Sequence, residues 1–183
     1  MREQVFSRAV ASTVTTGRLI LRAHVLADFP VYAAMRADPV VMKFMGKGET
    51  LSEKDAWAKF QAMPGHWSLM GYGYWAITDK ASGAYLGNIG YSDKKRPPEH
   101  PASGAPEIGW SLAAAAHGKG YATEAVGRLV RFAFLDLDLP EIWGAAVPTN
   151  DASHRVMEKN GFVIVAAGER PSGVRGNPLP VIV

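Results

Sequence analysis

The sequence predicts a mixed α+β fold in which helices cover the faces of one sheet. Two aromatic and β-branched stretches, residues 72–78 and 85–92, flank an Asp-Lys-Ala-Ser-Gly turn and predict an antiparallel hairpin. From residue 107 onward the hydrophobic pattern predicts a strand, helix, strand, helix and strand in turn. The chain has 183 residues, 48% of them hydrophobic, which is enough for one core and too few residues for two ordinary domains.

The N-terminal residues differ in pattern from the rest of the chain. Residues 1–16 show little periodicity, so we expect a flexible tail and then a single domain over residues 17–183. Residues 18–22 alternate basic and apolar side chains around Leu19 and Leu21, which predicts a short first strand.

Two helices are predicted between this strand and the hairpin. The first is expected to stop at Asp38-Pro39, because proline disfavours a helical conformation in the residue before it. Ser52 and Asp55 have the spacing of a capping box and predict a second helix that runs through Met63.

The second half of the chain begins after a proline-rich segment. Residues 93–106 contain four prolines and several charges and are expected to form an exposed loop. Periodicity then predicts strands at 107–112, 141–147 and 162–167 and helices at 122–134 and 151–160. Residues 179–183 resemble a strand cut short, which suggests edge pairing in a homodimer.

Composition argues against several classes of function. The formal net charge is +3, and no dense basic block accompanies it beyond Lys94-Lys95-Arg96, so no nucleic-acid partner is indicated. The chain has no cysteine, which excludes disulfides, cysteine nucleophiles and thiolate metal sites. Its histidines lack the short spacings of metal motifs, and no run of about 18 apolar residues predicts a membrane span. We therefore expect a cytoplasmic protein without a metal.

A glycine-rich turn lies between a predicted strand and a strong helix. The strand Glu107-Ile-Gly-Trp-Ser-Leu112 leads through alanines to His117-Gly-Lys-Gly-Tyr-Ala122. Backbone amides at a helix start attract anions, glycines let a phosphate approach, and Lys119 adds a positive charge. A dinucleotide fingerprint needs glycine in place of Thr123, and a P-loop needs Ser or Thr in place of Gly120. A tight turn that merely starts a helix is the alternative.

A second polar element opens the last predicted helix. Asn150-Asp-Ala-Ser153 precedes Glu158, Lys159 and the Asn160-Gly-Phe162 sequence. Asn150 is a good helix N-cap, and Asn160-Gly161 is typical of a helix end. The spacing of three places Asn150 and Ser153 on one helix face, where both could also contact a ligand.

Together the two elements resemble the GNAT superfamily of N-acetyltransferases. Its signature is Arg/Gln-x-x-Gly-x-Gly/Ala, and His117, Gly120 and Ala122 stand at the three defined positions, with His117 departing from Arg or Gln. The run from Gly118 to Ala125 is typical of the branch that resembles ribosomal-protein-alanine N-acetyltransferases (RimJ/RimL-like). The resemblance covers residues 18–183.

The resemblance implies a fold and an activity. The fold is GNAT-like, a central, mixed and largely antiparallel sheet of six to seven strands flanked by about four helices, whose fourth and fifth strands splay to admit the cofactor. The activity is transfer of an acetyl group from acetyl-CoA to a primary amine of a small molecule or a protein N-terminus, without a metal. The acceptors to consider are a protein N-terminus, an aminoglycoside or polyamine, and a small amino acid derivative.

The resemblance also implies roles for individual residues. Glu107 is the implied general base, and Ser153 would donate a hydrogen bond to the departing thiolate. A tyrosine acid often follows the second element in this superfamily, and residues 163–183 contain none. The implied cofactor-binding residues are Trp110, Ser111, Leu112, His117, Gly118, Lys119, Gly120, Tyr121, Ala122 and Asn150.

Two alternatives remain open at this point. The first is a non-catalytic module that binds acyl-CoA as a sensor, which the missing tyrosine and the His117 substitution keep in view. The second is a serine hydrolase, because Gly109-Trp-Ser-Leu-Ala113 nearly matches the Gly-x-Ser-x-Gly elbow, and Asp136 or Asp138 and then His154 come after it in hydrolase order.

Overall fold

One mixed sheet organises the part of the chain described by the computed structural model, residues 11–100, 102–164 and 179–182. Its strands are β1 (Val14–Thr15), β2 (Leu19–Arg22), β3 (Tyr74–Asp79), β4 (Tyr85–Ser92), β5 (Glu107–Leu112), β6 (Trp143–Ala146), β7 (Val163–Ile164) and β8 (Leu179–Ile182). They lie in the order β1-β2-β3-β4-β5-β6-β8-β7, and every neighbouring pair is antiparallel except β5 and β6. Six strands have four or more residues, so the predicted fold class is confirmed.

The helices lie on both faces of this sheet. They are α1 (Phe29–Ala37), α2 (Pro39–Met42), α3 (Glu53–Met70), α4 (Tyr121–Leu135) and α5 (Asp151–Lys159). The predicted stop at Asp38 is followed at once by the single turn of α2, because the Asp38 side chain accepts a hydrogen bond from the Val40 amide and starts a new helix.

The second predicted helix is longer than expected. Ser52 caps α3 as predicted, but the helix continues through Pro64 to Met70, and Gly71, whose φ is 73°, is its C-cap. Trp67 holds this added length to the sheet, because its ring packs edge-on against Trp75 at 4.5 Å and its Nε1 donates to the Tyr74 carbonyl at 3.0 Å. Tertiary packing therefore outweighs the helix-breaking preference of the proline.

The sheet separates two clusters of buried side chains. Trp75 and Ile77 face α4, whose buried residues Val126 and Leu129 complete the larger core. Tyr74 points to the opposite face and packs against the smaller core, which is formed by Tyr32 of α1 and by Ala56, Phe60 and Met63 of α3. The alternation of side chains along β3 thus assigns each face its own helices.

The N-terminal boundary of the folded region differs from the prediction. Val14 and Thr15 pair with Leu21 and Ile20 of β2, and the Ser12 carbonyl accepts a hydrogen bond from Trp75 Nε1 at 2.8 Å. Residues 11–16 therefore belong to the sheet and its core, because a Trp side chain 63 positions later binds their backbone. Residues 1–10 lie outside the described residues.

The last strand forms where the sequence predicts it but does not lie at an edge of the sheet. Residues Leu179–Ile182 form β8, which pairs with β6 on one side and with β7 on the other. Because β8 has a neighbour on both sides, it offers no edge for a second subunit, and the sequence argument for a homodimer is lost. The predicted strand at 162–167 is described only for Val163–Ile164.

Replacing Leu129 with Ala should show how far the fold depends on the core beneath α4. Leu129 is fully buried, so Leu129→Ala should lower the free energy of unfolding by about 2–5 kcal/mol in urea denaturation. Leu135 of the same helix is 74% exposed and serves as the matched control, because Leu135→Ala should change stability by less than about 0.5 kcal/mol. Equal losses in the two variants would contradict the burial pattern.

Candidate functional site

A cleft opens where β5 and β6 part. The two parallel strands are joined by only two residue pairs, Glu107↔Trp143 and Ile108↔Gly144. β5 then continues to Leu112 while paired with β4, and no further pair joins it to β6 among the described residues. The predicted splay of two strands is therefore present, and we refer to the space between them as the β5–β6 cleft.

The backbone of β5 presents polar groups to this cleft. The Trp143 amide donates to the Pro106 carbonyl at 2.9 Å, whereas the Ala113 amide donates to Leu86 on the β4 side at 2.8 Å. Because backbone groups alternate in direction along a strand, the N–H and C=O groups of Trp110 and Leu112 face the cleft. The Leu112 carbonyl accepts a hydrogen bond from His117 Nε2 at 2.9 Å.

Two helix N-termini stand at the open end of the cleft. β5 leads into α4 and β6 leads into α5, and the strands diverge toward their carboxyl ends. In open α/β sheets this edge is where ligands bind, because the helix N-termini there carry partial positive charge.

The loop before α4 has the backbone that an anion site needs. Gly118 and Gly120 have φ values of 72° and 78°, a region that favours glycine. Gly120 is the N-cap of α4 and supplies no side-chain oxygen, so no N-cap side chain occupies the amides of the first turn. A Cβ at Gly118 would meet nothing within 4 Å, and Lys119 is exposed beside it. These features fit a phosphate-bearing ligand.

Arg18 of the N-terminal segment holds this loop in place. Its NH1 donates to the Lys119 carbonyl at 3.0 Å, and its guanidinium lies 4.7 Å from the centre of the Tyr121 ring. Its Nε donates to Glu124 Oε2 at 2.7 Å, and Thr16 Oγ1 donates to Glu124 Oε1 at 2.6 Å. Burial alone would raise the pKa of Glu124, but the hydrogen bonds from Thr16 and Arg18 outweigh it and lower that pKa.

Asn150 and Ser153 begin α5 as the sequence predicts. Asn150 is the N-cap, and its side-chain oxygen accepts a hydrogen bond from the Ser153 amide at 3.2 Å. Both residues lie beyond the carboxyl end of β6, so the fold places them at the same edge as the glycine loop. The cap uses the Asn150 side-chain oxygen, which leaves its amide nitrogen available for a ligand.

Glu107 occupies the other end of β5. It is buried at the end where β5 and β6 still pair, and its Oε2 accepts a hydrogen bond from Arg96 NH2 at 2.5 Å. The fold therefore separates Glu107 from Ser153, because Glu107 begins β5 whereas Ser153 lies past the end of β6.

Comparison with known proteins identifies the family. A family model described as an acetyltransferase (GNAT) domain matches residues 18–163. The chain belongs to the GNAT family. The uncharacterized N-acetyltransferase p20 of Bacillus licheniformis is 30% identical over 153 residues, 82% of each protein. A crystal structure of an acetyltransferase from Agrobacterium tumefaciens has a TM-score of 0.77 at 29% identity and covers 100% of this chain and 99% of that one. The predicted family and its class, the N-acetyltransferases, are thus confirmed.

Structures with named substrates are more distant. The ribosomal-protein-S5-alanine acetyltransferase of Vibrio fischeri has a TM-score of 0.74 at 21% identity and covers 94% of this chain and 96% of that one. The spermidine N-acetyltransferase of Vibrio cholerae, in complex with CoA and spermine, has a TM-score of 0.72 at 16% identity, covering 92% and 96%. At these identities the comparison shows that this chain shares the GNAT fold with these proteins, including a RimJ/RimL-like one.

The hydrolase hypothesis is wrong. A nucleophile elbow requires a sharp turn between strand and helix, but Ser111 lies inside β5, where it is buried and its Oγ donates to Asn88 Oδ1 at 2.7 Å. His154 Nε2 donates instead to the Val147 carbonyl at 3.1 Å. Ser111 is therefore a buried strand residue and not an exposed nucleophile.

Two residues near Glu107 have a place in the site that their local sequence does not predict. Arg96 belongs to the proline-rich loop and stands out there only as part of a basic run, with no local signal for its pairing. Tyr74 packs against the smaller core, yet its hydroxyl would lie 2.7 Å from a Cβ at Gly109, so this glycine makes room for it on the Glu107 face of β5. The Glu-x-Gly spacing of residues 107–109 is the one signal in the sequence for this close approach.

Neither a metal cluster nor a membrane-spanning helix occurs in the described residues. They contain no group of three or more His, Cys, Asp or Glu side chains that could hold a metal ion. None of the helices in the described ranges combines the length and the apolar character needed to cross a membrane.

Replacing Glu124 with Gln should reveal how Arg18 stabilises the glycine loop. Because the pKa of Glu124 is lowered by folding, its contribution to stability is present above the ordinary pKa of 4.5 and is lost as pH falls through the folded value. Glu124→Gln should lower the free energy of unfolding by about 1–2 kcal/mol at pH 7, a figure that is kept small because Arg18 is half-exposed. The difference in stability from the wild-type protein should shrink below pH 4.5.

Urea denaturation at several pH values measures this difference. Glu158→Gln is the control, because Glu158 is an exposed helical carboxylate, and its effect should be small at every pH. A Glu124→Gln penalty that grows on acidification would contradict the assigned direction of the pKa shift.

Proposed function

We propose that this GNAT protein transfers the acetyl group of acetyl-CoA to a primary amine by direct attack in a ternary complex. One observation carries the proposal: β5 and β6 part after two residue pairs, at the edge where the uncapped N-terminus of α4 begins. A strand edge with unpaired backbone groups next to an anion site suits a long ligand that ends in phosphates.

The residues along the cleft fit acetyl-CoA in two parts. The amides of Gly118, Gly120 and the first turn of α4 would hold the pyrophosphate, with Lys119 and His117 at its rim. The backbone of Trp110 and Leu112 would bind the pantetheine arm, helped by the Asn150 amide nitrogen. The donor supplies a thioester whose sulfur leaves as a thiolate.

The acceptor amine must be neutral to attack. In model peptides an α-amine has a pKa near 7.7–8.0 and a lysine amine near 10.4, so the acceptor decides how much base is needed. Glu107 faces the same side of β5 as Gly109 and Tyr74, and we assign it the role of general base, directly or through a water. Arg96 contacts its Oε2 and orients the carboxylate.

Ser153 is proposed to donate a hydrogen bond to the departing sulfur. It stands in the first turn of α5, and its amide is held by Asn150. The helix N-terminus adds partial positive charge where negative charge develops on the sulfur. The cytoplasmic location stays a prediction from the sequence. So does the expectation that the substrate resembles that of the RimJ/RimL-like branch.

A non-catalytic acyl-CoA sensor is the second candidate. His117 supports it, because this residue replaces the Arg or Gln of the family motif and its Nε2 bonds to the Leu112 carbonyl. A sensor would need the cleft and the glycine loop, but not Glu107 or Ser153.

Calorimetric titration with acetyl-CoA tests the cofactor site. Because the glycine loop would hold the pyrophosphate, we expect binding in the micromolar range, unchanged for desulfo-CoA. Removal of the 3′-phosphate should weaken binding less than truncation to pantetheine, which lacks the pyrophosphate. Absence of binding at millimolar acetyl-CoA would overturn the proposal.

Substitution of Glu107 and Ser153 separates an enzyme from a sensor. Glu107→Gln keeps a hydrogen-bond acceptor for Arg96 and removes the base, so the rate of thiol release should fall by about 10²-fold or more, while the affinity for acetyl-CoA is retained. Ser153→Ala should lower the rate by about 10-fold, with the same retention of binding. Glu99→Gln changes an exposed carboxylate in the neighbouring loop and should leave the rate unchanged. A protein without measurable thiol release for any amine would be a sensor.

A further inference from the structure

A buried arginine without an ion-pair partner lies on the face of the sheet that carries α1 and α3. Arg36 is only 6% exposed, and no carboxylate pairs with it within the described part of the chain. Its NH2 donates to Asn88 Oδ1 at 3.4 Å, its NH1 contacts Met45 Sδ at 2.9 Å, and its guanidinium lies 4.8 Å from the Tyr32 ring centre. Its Nε is buried and has no hydrogen-bond partner.

Two more buried polar atoms without partners lie on the same face. They are the Tyr85 hydroxyl and His24 Nε2, whose rings are 6.1 Å apart. We refer to Arg36, Asn88, Tyr85 and His24 as the Arg36 cluster. Buried polar groups are rarely left unpaired in native proteins, so three orphaned atoms on one face are donors and acceptors that a polar ligand could satisfy.

The net charge of this region is one positive charge. Burial is the largest cause that lowers the pKa of His24 to about 4, so its ring is neutral at pH 7. Burial raises the pKa of Tyr85, so its hydroxyl is also neutral. Arg22 is bound by Asp28 at 2.7 Å, and those two charges cancel. Phe60 of α3 and Tyr32 of α1 add only aromatic surface.

A bulge in β4 places Tyr85 and Asn88, two members of the cluster, on the same face of the sheet. Thr78 pairs with Tyr85 and Ile77 pairs with Gly87, so Leu86 is an extra residue in β4. Tyr85 consequently packs with the smaller core and Leu86 with the larger one. Bulges of this kind redirect side chains and are frequent beside active sites.

The Arg36 cluster is connected to the β5–β6 cleft. Asn88 Oδ1, which accepts from Arg36, also accepts from Ser111 Oγ at 2.7 Å. Ser111 stands between Trp110 and Leu112, whose backbone groups face the cleft. A chain of two hydrogen bonds therefore joins the guanidinium to the strand along which the acetyl donor is proposed to bind.

A buried guanidinium without a counter-ion is costly, and a carboxylate is the anion that matches its planar donors. We infer that the acceptor is a small amine that carries a carboxylate, such as a free amino acid, and that Arg36 binds this carboxylate while Tyr85 donates a second hydrogen bond. This inference rests on the proposed acetyl transfer. A single positive charge with neutral neighbours matches a monoanion and repels a polyamine, whose second ammonium would be placed near Arg36.

Matched acceptors test this inference on the wild-type protein. Thiol release from acetyl-CoA is measured for a panel of proteinogenic L-amino acids, each against its carboxamide, and for spermidine. The accepted amino acid should have a kcat/KM about 10- to 100-fold above that of its carboxamide, the range for loss of a charge-assisted hydrogen bond. The carboxamide has the less basic amine, so amine reactivity alone would favour it and cannot produce the expected result.

Variants of Arg36 test the residue itself. Arg36→Met should reduce the preference for the amino acid to about 3-fold or less and leave the affinity for acetyl-CoA unchanged, while Arg36→Lys should keep part of the preference. Arg131 is exposed on α4, and Arg131→Met is the control that should behave as wild type. The wild-type comparison decides the matter even where Arg36→Met does not fold.

The outcomes separate this inference from the transferase proposal. Equal kcat/KM for amino acid and carboxamide, or faster turnover of spermidine, would overturn the inference and leave the acetyl transfer standing. An Arg36→Met variant that folds and keeps the full preference would also overturn it. Failure to bind acetyl-CoA would instead overturn the transferase proposal, and the assignment of an acceptor site would fall with it.

Discussion

The parting of β5 and β6 is the constraint on which the rest of the structure depends. Two parallel strands need a crossover, and α4 supplies it by packing Val126 and Leu129 against the sheet. Because β5 and β6 pair over only two residues, they separate beyond this point, and a cleft lies between them. The backbone of β5 is left with polar groups that face this cleft, and the N-termini of α4 and α5 both open at its wide end.

The N-terminal segment gives the glycine loop its fixed shape. Arg18 and Thr16 reach across the fold to Glu124 in the first turn of α4, and Arg18 also binds the Lys119 carbonyl. Gly118 and Gly120 need left-handed backbone conformations that are easily lost in a mobile loop. Holding the loop from the segment between β1 and β2 therefore prearranges the amides for a ligand and reduces the ordering cost of binding.

Arg96 and Arg36 both contact residues on the face of the sheet that carries α1 and α3, and their charges are balanced differently. Arg96 meets the carboxylate of Glu107, so that charge is balanced within the chain. Arg36 meets an amide, a thioether and an aromatic ring, none of which carries a negative charge. The first arrangement suits a carboxylate that is held ready for a proton, and the second suits a site that is completed by the anion of a ligand. Both residues are arginines, so the difference between them comes from where each one lies relative to β5.

The sequence by itself determined the local elements and the family. β4 and β5 have the predicted bounds, α4 and α5 begin within one residue of them, and Ser52 and Asn150 cap their helices, because periodicity and caps are read from neighbouring residues. The tertiary structure decided the rest. Residues 11–16 join the core, α3 continues past Pro64, and β8 lies inside the sheet because of packing partners distant in the chain. Arg36 and Asn88 are 52 positions apart, and Arg18 and Glu124 are 106 apart, so no local pattern encodes their contact. The topology of the fold decides which charged side chains have a partner, because it brings together residues that are far apart in the sequence.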